Sequence, residues 1–414
     1  MTTPRVSLVI VSRDRPDALA RCLTAVLQLW YRPLEIVVVL DSAGMDRLAL
    51  QDLPKEIKLL PFEGQNISRA RNAGIAEASG EIIAFLDDDA VPEPSWLNHL
   101  VAAFADPDVA IAGGFVKGRN GISWQWQGRT VDARGYLHDL DLDPSQPAKV
   151  AQKPGLALKT EGTNMAVRAQ VLRDLGGFDP SFQYFLDETD LNLRLAASRL
   201  AAAVVPRAVV HHGFAGNITR RTDRAPRDLF QIGASWAVFL AKHCPDDLIA
   251  FRWQEIRDLE RKRLLGYMLD GRLDPWDVNR VLATIDNGFA DGQTRPVQPT
   301  LPPIQAPEAG FHSLAPSMTG ASDHVAGRIW NRRHLIDRCR AKVAAGKVAT
   351  MMIFSPTTFF HSVRFTEHGF WEHRGGLYGK SLRSDRIWRF WRFRNRVRRE
   401  WSLVSERHEM TNPQ

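Results

Sequence analysis

Three aspartates in a row, Asp87-Asp88-Asp89, end the apolar run from Ile82 to Leu86 and are followed by Ala90-Val91-Pro92. A strand carries them out of a sheet, and Pro92 forbids its continuation. Three adjacent carboxylates repel one another and persist most easily where a cation neutralises them. Oxygen ligands of this kind suit Mg²⁺ or Mn²⁺, which commonly sit on substrate phosphates. The plainer alternative is an acidic turn at a strand end. Two further clusters carry titratable groups: Asp187-Glu188-Thr189-Asp190 and His211-His212.

The elements that must position these groups alternate over the first 115 residues. Val6–Val11 is a continuous apolar strand of the kind buried on both faces. Pro16 opens a helix to about Leu29, with Leu19, Leu23, Val26 and Leu27 on one side. Leu34–Leu40 and Ile57–Leu60 predict two more strands, with a helix from Ser68 to Ala78 stopped by Ser79-Gly80. Ile82–Leu86 is the fourth strand. A helix over Trp96–Phe104 and a strand over Val109–Phe115 follow. Such alternation predicts a parallel, nucleotide-binding α/β sheet. Ligands then sit at the C-terminal strand ends, where Ser12, Asp41 and Asp87 to Asp89 lie. Residues 118–159 read as a loop region rich in Gly, Asp and Trp. Trp124 and Trp126 read as packing residues, with stacking on an acceptor sugar as the alternative.

Six motifs in this order resemble the inverting family 2 glycosyltransferases. They are Val-Ser-Leu-Val-Ile-Val-Ser-Arg-Asp-Arg-Pro at 6–16, Glu-Ile-Val-Val-Val-Leu-Asp-Ser at 35–42 and Ser-Arg-Ala-Arg-Asn-Ala-Gly-Ile at 68–75. Phe-Leu-Asp-Asp-Asp-Ala-Val-Pro at 85–92, Gly-Gly-Phe-Asp at 176–179 and Asp-Glu-Thr-Asp-Leu at 187–191 complete the set. The resemblance spans about residues 5 to 220. It implies the GT-A nucleotide-diphospho-sugar transferase fold: a Rossmann-like mixed sheet with flanking helices.

The resemblance also implies roles. Asp89 matches the last position of the family's DxD element and is the first choice of metal ligand. Asp88 would reach the ribose or share the metal, and Asp87 is a further candidate ligand. Asp41 matches the nucleobase-binding position, and its alternative is a turn-starting Asp. Ser12 and Arg71 fall near the nucleotide; Arg71 could equally be a solvated helix residue, and Asn72 and Gly74 could only shape the helix. The family's Glu-Asp-x-Asp element here reads Asp187-Glu188-Thr189-Asp190, so by position the general base is Glu188, with Asp187 as the neighbour that could take its place. Acidic residues in a helix's first turn also stabilise the helix dipole, which suits Asp190. One of His211 and His212 matches a metal or diphosphate ligand, the spacing favouring His212.

The 414 residues carry 44% hydrophobic and 24% charged side chains, ordinary for a globular protein. No uncharged apolar run approaches the length of a bilayer span, and no signal-peptide stretch precedes the first strand. Cys22, Cys244 and Cys339 suggest neither a disulfide framework nor a zinc pattern, so a cytoplasmic setting is expected. Net charge is +7, of which Arg383 to Glu400 contribute eight arginines against Asp385 and Glu400. On a helix there, Arg389, Arg392, Arg396 and Arg399 share one face, opposite Phe390, Trp391, Phe393, Val397 and Trp401. That helix could lie on the inner face of an anionic membrane, dock on the catalytic domain, or bind phosphate backbone, though nucleic acid is not an expected partner. His361–Lys380 is rich in His, aromatic residues and Gly, without a metal-ligand spacing.

Four regions are expected: a catalytic domain over 1–220, a helical extension over 221–290, a Pro-rich linker over 291–327 and a C-terminal region over 328–414. The expected activity is metal-dependent transfer from a UDP-, GDP- or dTDP-sugar to a hydroxyl of a glycan or lipid-linked acceptor. The alternatives are a nucleotidyltransferase, whose early phosphate loop is missing after Val11-Ser12-Arg13-Asp14, and a non-catalytic binding protein on a transferase scaffold.

Overall fold

The computed structural model describes residues 3–213, 221, 223, 225–319 and 321–408. Its first strands form because their residues bury both faces. Along β1 (Val6–Ser12), Leu8 and Ile10 face one layer and Val9 faces the other, all essentially inaccessible. The elements run on as α1 (Pro16–Val26), β2 (Leu34–Leu40), α2 (Ser42–Leu48), β3 (Lys58–Pro61), α3 (Ile67–Glu77), β4 (Ile82–Asp87), β5 (Ala90–Pro92), α4 (Trp96–Ala102) and β6 (Val109–Lys117). Five short strands occupy the loop-like region: β7 (Trp124–Trp126), β8 (Arg129–Asp132), β9 (Leu137–Asp139), β10 (Ala148–Val150) and β11 (Leu156–Lys159). Then come β12 (Met165–Arg168), α5 (Ala169–Asp174), α6 (Asp187–Ala197) and β13 (Ala201–His212).

The main sheet has ten strands in the order β10-β13-β6-β12-β4-β1-β2-β3, with β5 and β7 paired at its side. Strands β4, β1, β2 and β3 are parallel, as the βα alternation predicts. The parallel order ends at β12, which enters antiparallel between β4 and β6. The result is the Rossmann-like mixed sheet that the motifs imply. Helices α1 and α4 cover one face, while α3, α5 and α6 cover the other.

Beyond β13, α7 (Phe230–His243), α8 (Asp246–Leu269) and α9 (Pro275–Thr294) form a helical unit with its own apolar core. Gly288 allows α7 and α9 to touch, since a Cβ there would lie 1.9 Å from the Phe230 carbonyl oxygen. The expected boundary at 220 lies outside the described residues. The Pro-rich stretch from 295 is a strap rather than a free linker. Ile304 N–H donates to the Arg173 carbonyl, Leu314 N–H to the Leu34 carbonyl, and His312 N–H to Glu35 at 3.0 Å. Pro lacks an N–H, so such a segment binds through the residues between its prolines.

The last region starts at β14 (Ser322–Arg328), earlier than the expected 328. It continues with α10 (Arg332–Ala344), β15 (Val348–Ser355), β16 (Ser362–Phe365), β17 (Trp371–Gly376), α11 (Phe393–Ser402) and α12 (Ser405–His408). Its four strands are ordered β14-β15-β17-β16. The arginine-rich helix docks on this sheet. Trp391, Phe393, Val397 and Trp401 pack against Met352, Phe354 and Leu377, and Arg396 is 0% exposed. Of the three expected roles, docking is the one the structure displays, although against its own C-terminal sheet. That packing covers part of the expected apolar face, while Phe390 stays 70% exposed.

The tail also reaches the catalytic domain. Arg407 bonds to the buried Glu93, which Lys117 and His211 also approach, at 3.8 and 2.8 Å. Against burial, Arg407, Lys117 and His211 hold the Glu93 carboxyl well below its ordinary range. Arg407→Ala is expected to destabilise the fold by about 2 kcal/mol, less than the roughly 3–5 kcal/mol of a pair with no second partner. Because Glu93's folded pKa is depressed, this stabilisation is complete above its unfolded pKa of about 4.3 and is lost as the pH falls through the folded value. Urea titration of both proteins at neutral pH and at pH 3 checks this: the gap between them should shrink on acidification.

Candidate active site

The acidic turn joins β4 to β5, and β13 runs antiparallel to β5, pairing His212 with Ala90 and His211 with Val91. Successive strand residues point to opposite sides, so the two histidines part. His212 Nε2 lies 3.1 Å from Asp89 Oδ1 and 3.9 Å from Asp87 Oδ2, while its Nδ1 is 3.1 Å from Gln125. One ligand atom from each of Asp87, Asp89 and His212 fits within 4.8 Å. Burial would lower His212's pKa, but Asp89 and Asp87 outweigh it and raise it. His211 turns to Glu93 and stacks obliquely on Trp371, and burial pushes it down to about 4. The structure therefore brings His212, and not His211, to the acidic turn.

Asp88 points elsewhere. Its Oδ2 accepts from Ser12 Oγ at 2.7 Å, and Arg15 Nη1 sits 3.2 Å from Asp88 and 3.3 Å from Asp89. Burial, against Arg15, pushes the Asp88 carboxyl up to about 7. Arg15 thus relieves part of the repulsion that the sequence assigned wholly to a bound cation. It lies three residues past the end of β1, beside the strand ends where ligands gather, and that position was its signal.

Asp41 Oδ1 accepts from Gly44 N at 2.8 Å, capping α2, and its Oδ2 accepts from Asp14 N at 2.6 Å. Asp14 has φ 58°, a left-handed conformation uncommon outside glycine, and Asp41 is what holds it there. The turn so fixed borders a cavity of about 230 Å³ lined by Ser12, Arg13, Arg15, Phe62, Asn66 and Tyr184. Asp41 thereby shapes the wall of this cavity with both carboxylate oxygens already engaged.

Asp187 and Glu188 begin α6 after two consecutive non-glycine residues in left-handed conformation, Phe185 at φ 74° and Leu186 at φ 63°. Backbone strain of this kind survives where surrounding contacts over-determine it. Buried Arg71 supplies such contacts: it bonds to Asp187, reaches Asp87 at 3.3 Å and lies over the Phe178 ring. A Cβ at Gly162 would lie 2.3 Å from this guanidinium, so the glycine gives Arg71 its passage. Arg71 is neither a solvated residue nor part of the lining of the cavity beside Ser12. It ties the acidic turn to α6. Asn72 clamps Phe178 at both its N–H and its carbonyl, at 2.8 and 2.7 Å, so its shaping role reaches beyond its own helix.

Glu188 is 14% exposed against 3% for Asp187. Lys159 Nζ sits 2.9 Å from Glu188 and 3.2 Å from Glu161. Burial raises the Asp187 carboxyl despite Arg71. Burial would raise Glu188 too, but Lys159 and the Asp187 hydrogen bond hold it below the ordinary carboxylate range. Lys159 and Glu161 were missed in the sequence because their pairing depends on how β11 lies against α6. Asp190 anchors the helix instead, bonding Arg194, Lys242 and His243 at 2.8, 2.9 and 2.9 Å.

The strand-end carboxylates and the acidic start of α6 thus meet through Arg71 beside one mixed sheet. Residues 7–176 match the model of glycosyl transferase family 2. The O-antigen biosynthesis protein RfbC of Myxococcus xanthus is 30% identical over 236 residues, 54% of this chain and 18% of that protein. The glucosyl-dolichyl phosphate glucuronosyltransferase of Haloferax volcanii is 32% identical over 195 residues, 42% of this chain and 56% of that protein. The aligned part is thus less than two thirds of either relative. Among solved structures, GalNAc-T7 with UDP, GalNAc and Mn²⁺ aligns with a TM-score of 0.42 and 17% identity, over 58% of this chain and 48% of that one.

Proposed function

We propose that this protein transfers a sugar from a nucleotide diphosphate donor to an acceptor hydroxyl with inversion. The observation that carries the reading is Arg71, which bridges Asp87 of the acidic turn and Asp187 beside Glu188. It ties a candidate cation ligand, Asp87, to the residue that precedes the proton acceptor Glu188.

The donor set of two carboxylates and one imidazole fits a divalent ion such as Mn²⁺ or Mg²⁺, held by Asp87, Asp89 and His212. Bound there, such an ion supplies Lewis-acid neutralisation of the leaving diphosphate. The chain's own groups do the rest. Ser12, Arg13 and Arg15 line the cavity that receives the nucleotide. Glu188, kept ionised by Lys159, accepts the proton of the attacking hydroxyl, whose oxygen then displaces the diphosphate from the opposite face. The relatives' names support a surface-glycan or lipid-linked acceptor.

Incubation with a panel of UDP-, GDP- and dTDP-sugars and Mn²⁺ tests this. Release of nucleoside diphosphate is expected from one donor. Release of pyrophosphate would assign nucleotidyl transfer instead, and no turnover of any donor would leave only binding.

A further inference from the structure

The histidine-rich stretch of the C-terminal region has no metal-ligand spacing in the sequence, because its third member lies on another element. His361 precedes β16, His373 lies in β17, and Glu400 lies in α11. The fold buries all three, at 2%, 1% and 2% exposure. His361 Nε2 sits 3.1 Å from His373 Nδ1 and 3.5 Å from Glu400 Oε2, and one ligand atom from each of the three residues lies within 4.8 Å of the others. We propose that His361, His373 and Glu400 form a structural Zn²⁺ site that fastens α11 to the β16–β17 hairpin.

The geometry favours a tetrahedral ion. Ligand bonds of about 2.0–2.1 Å place neighbouring ligand atoms roughly 3.3–3.4 Å apart, and the two measured edges bracket that spacing. Two imidazoles and one carboxylate are borderline donors suited to zinc more than to Mg²⁺ or Ca²⁺. Proton counting points the same way. A neutral His361 has one Nε2 proton, which serves either His373 Nδ1 or Glu400 Oε2 well, but not both. A cation between them satisfies all three lone pairs.

The surrounding charges are arranged consistently. Ser381 Oγ, Arg399 Nη1 and Arg396 Nε approach Glu400 at 2.6, 3.0 and 3.4 Å, all on Oε1, so Oε2 is left facing His361. Outer partners of this kind orient a ligating carboxylate. Arg399 is shared between Glu400 and Asp385, at 3.0 and 2.6 Å, and Arg396 pairs with Glu400 alone at 3.4 Å. The Phe354 ring stacks near His361 and closes one side against water. This site is separate from the Asp87, Asp89 and His212 group and stands whether or not that group binds a cation.

The test uses the full chain carrying Asp89→Ala, so that the acidic turn no longer competes for metal. Zn²⁺ is supplied, the excess removed by dialysis, and metal content and affinity are measured against a competing zinc indicator. About one retained zinc per chain is expected, with affinity lowered about 10²-fold or more by His373→Ala or by the shape-conserving Glu400→Gln. Thermal melting of the Asp89→Ala chain provides a second reading that needs no further variant. Zinc should raise Tm by on the order of 5 °C, and chelator should reverse it. No retained zinc and no zinc-dependent Tm would overturn the proposal, as would a folded His373→Ala that retains zinc like its parent.

Discussion

Glu188→Gln is expected to lower sugar transfer by about 10²–10⁴-fold while leaving donor affinity within about twofold. The substitution keeps the length and shape of the side chain and removes its capacity to accept a proton. Lys159 keeps Glu161 as an anionic partner at 3.2 Å, so its ammonium is not stranded. Asp187→Asn should behave differently. It weakens the bond to Arg71, the residue that also reaches Asp87, so its effect should appear in donor binding. Steady-state kinetics separate the two: a fall in kcat for Glu188→Gln, a rise in KM for Asp187→Asn. If Glu188→Gln transfers normally and Asp187→Asn loses kcat, the base is Asp187 and the exposure difference between the two carboxylates misleads.

The core strands were legible because β1, β2 and β4 are buried on both faces and therefore read as unbroken apolar runs. The acidic turn was legible because Pro92 and three carboxylates cannot continue such a run. What stayed hidden depends on register. His211 and His212 are adjacent, and only the pairing of β13 with β5 decides which one faces Asp89. The partners of Glu188 and Asp88 are set by contacts between residues far apart in the chain, and no local pattern announces them. The start of α9, inside the expected helical extension, is written in Asp274 and Asp277, which form a capping box, with Pro275 in the first turn.

Composition misled at the strap and the tail. Prolines from 295 onward suggested a chain without fixed contacts, yet the residues between them bond to β2 and to α5. The arginine face of α11 suggested solvent or lipid, yet Arg396 is buried against Ser381, Glu400 and the Phe354 ring. Charge patterning gives the polarity of a face but not what covers it. Here α11 carries its own acceptor in Glu400 and meets Ser381, Asp385 and the Phe354 ring.

Asp89→Ala is expected to reduce transfer by about 10³-fold or more, since a catalytic divalent ion is worth several kcal/mol of charge stabilisation. The fold should survive. Removing one of three neighbouring carboxylates relieves repulsion, and Arg15 retains Asp88 at 3.2 Å. The loss of His212's partner is offset by Gln125 at 3.1 Å and by Asp87. A change in Tm of less than about 3 °C follows. Excess EDTA should reproduce the mutant's defect in the unsubstituted protein, and added Mn²⁺ should restore that protein but not Asp89→Ala. Asp41→Ala is the useful contrast. It removes two acceptors from backbone N–H groups and so should lower Tm as well as donor affinity. Undiminished transfer in excess EDTA would sink the metal-dependent reading, and would leave Arg15 as the cation that faces the leaving diphosphate.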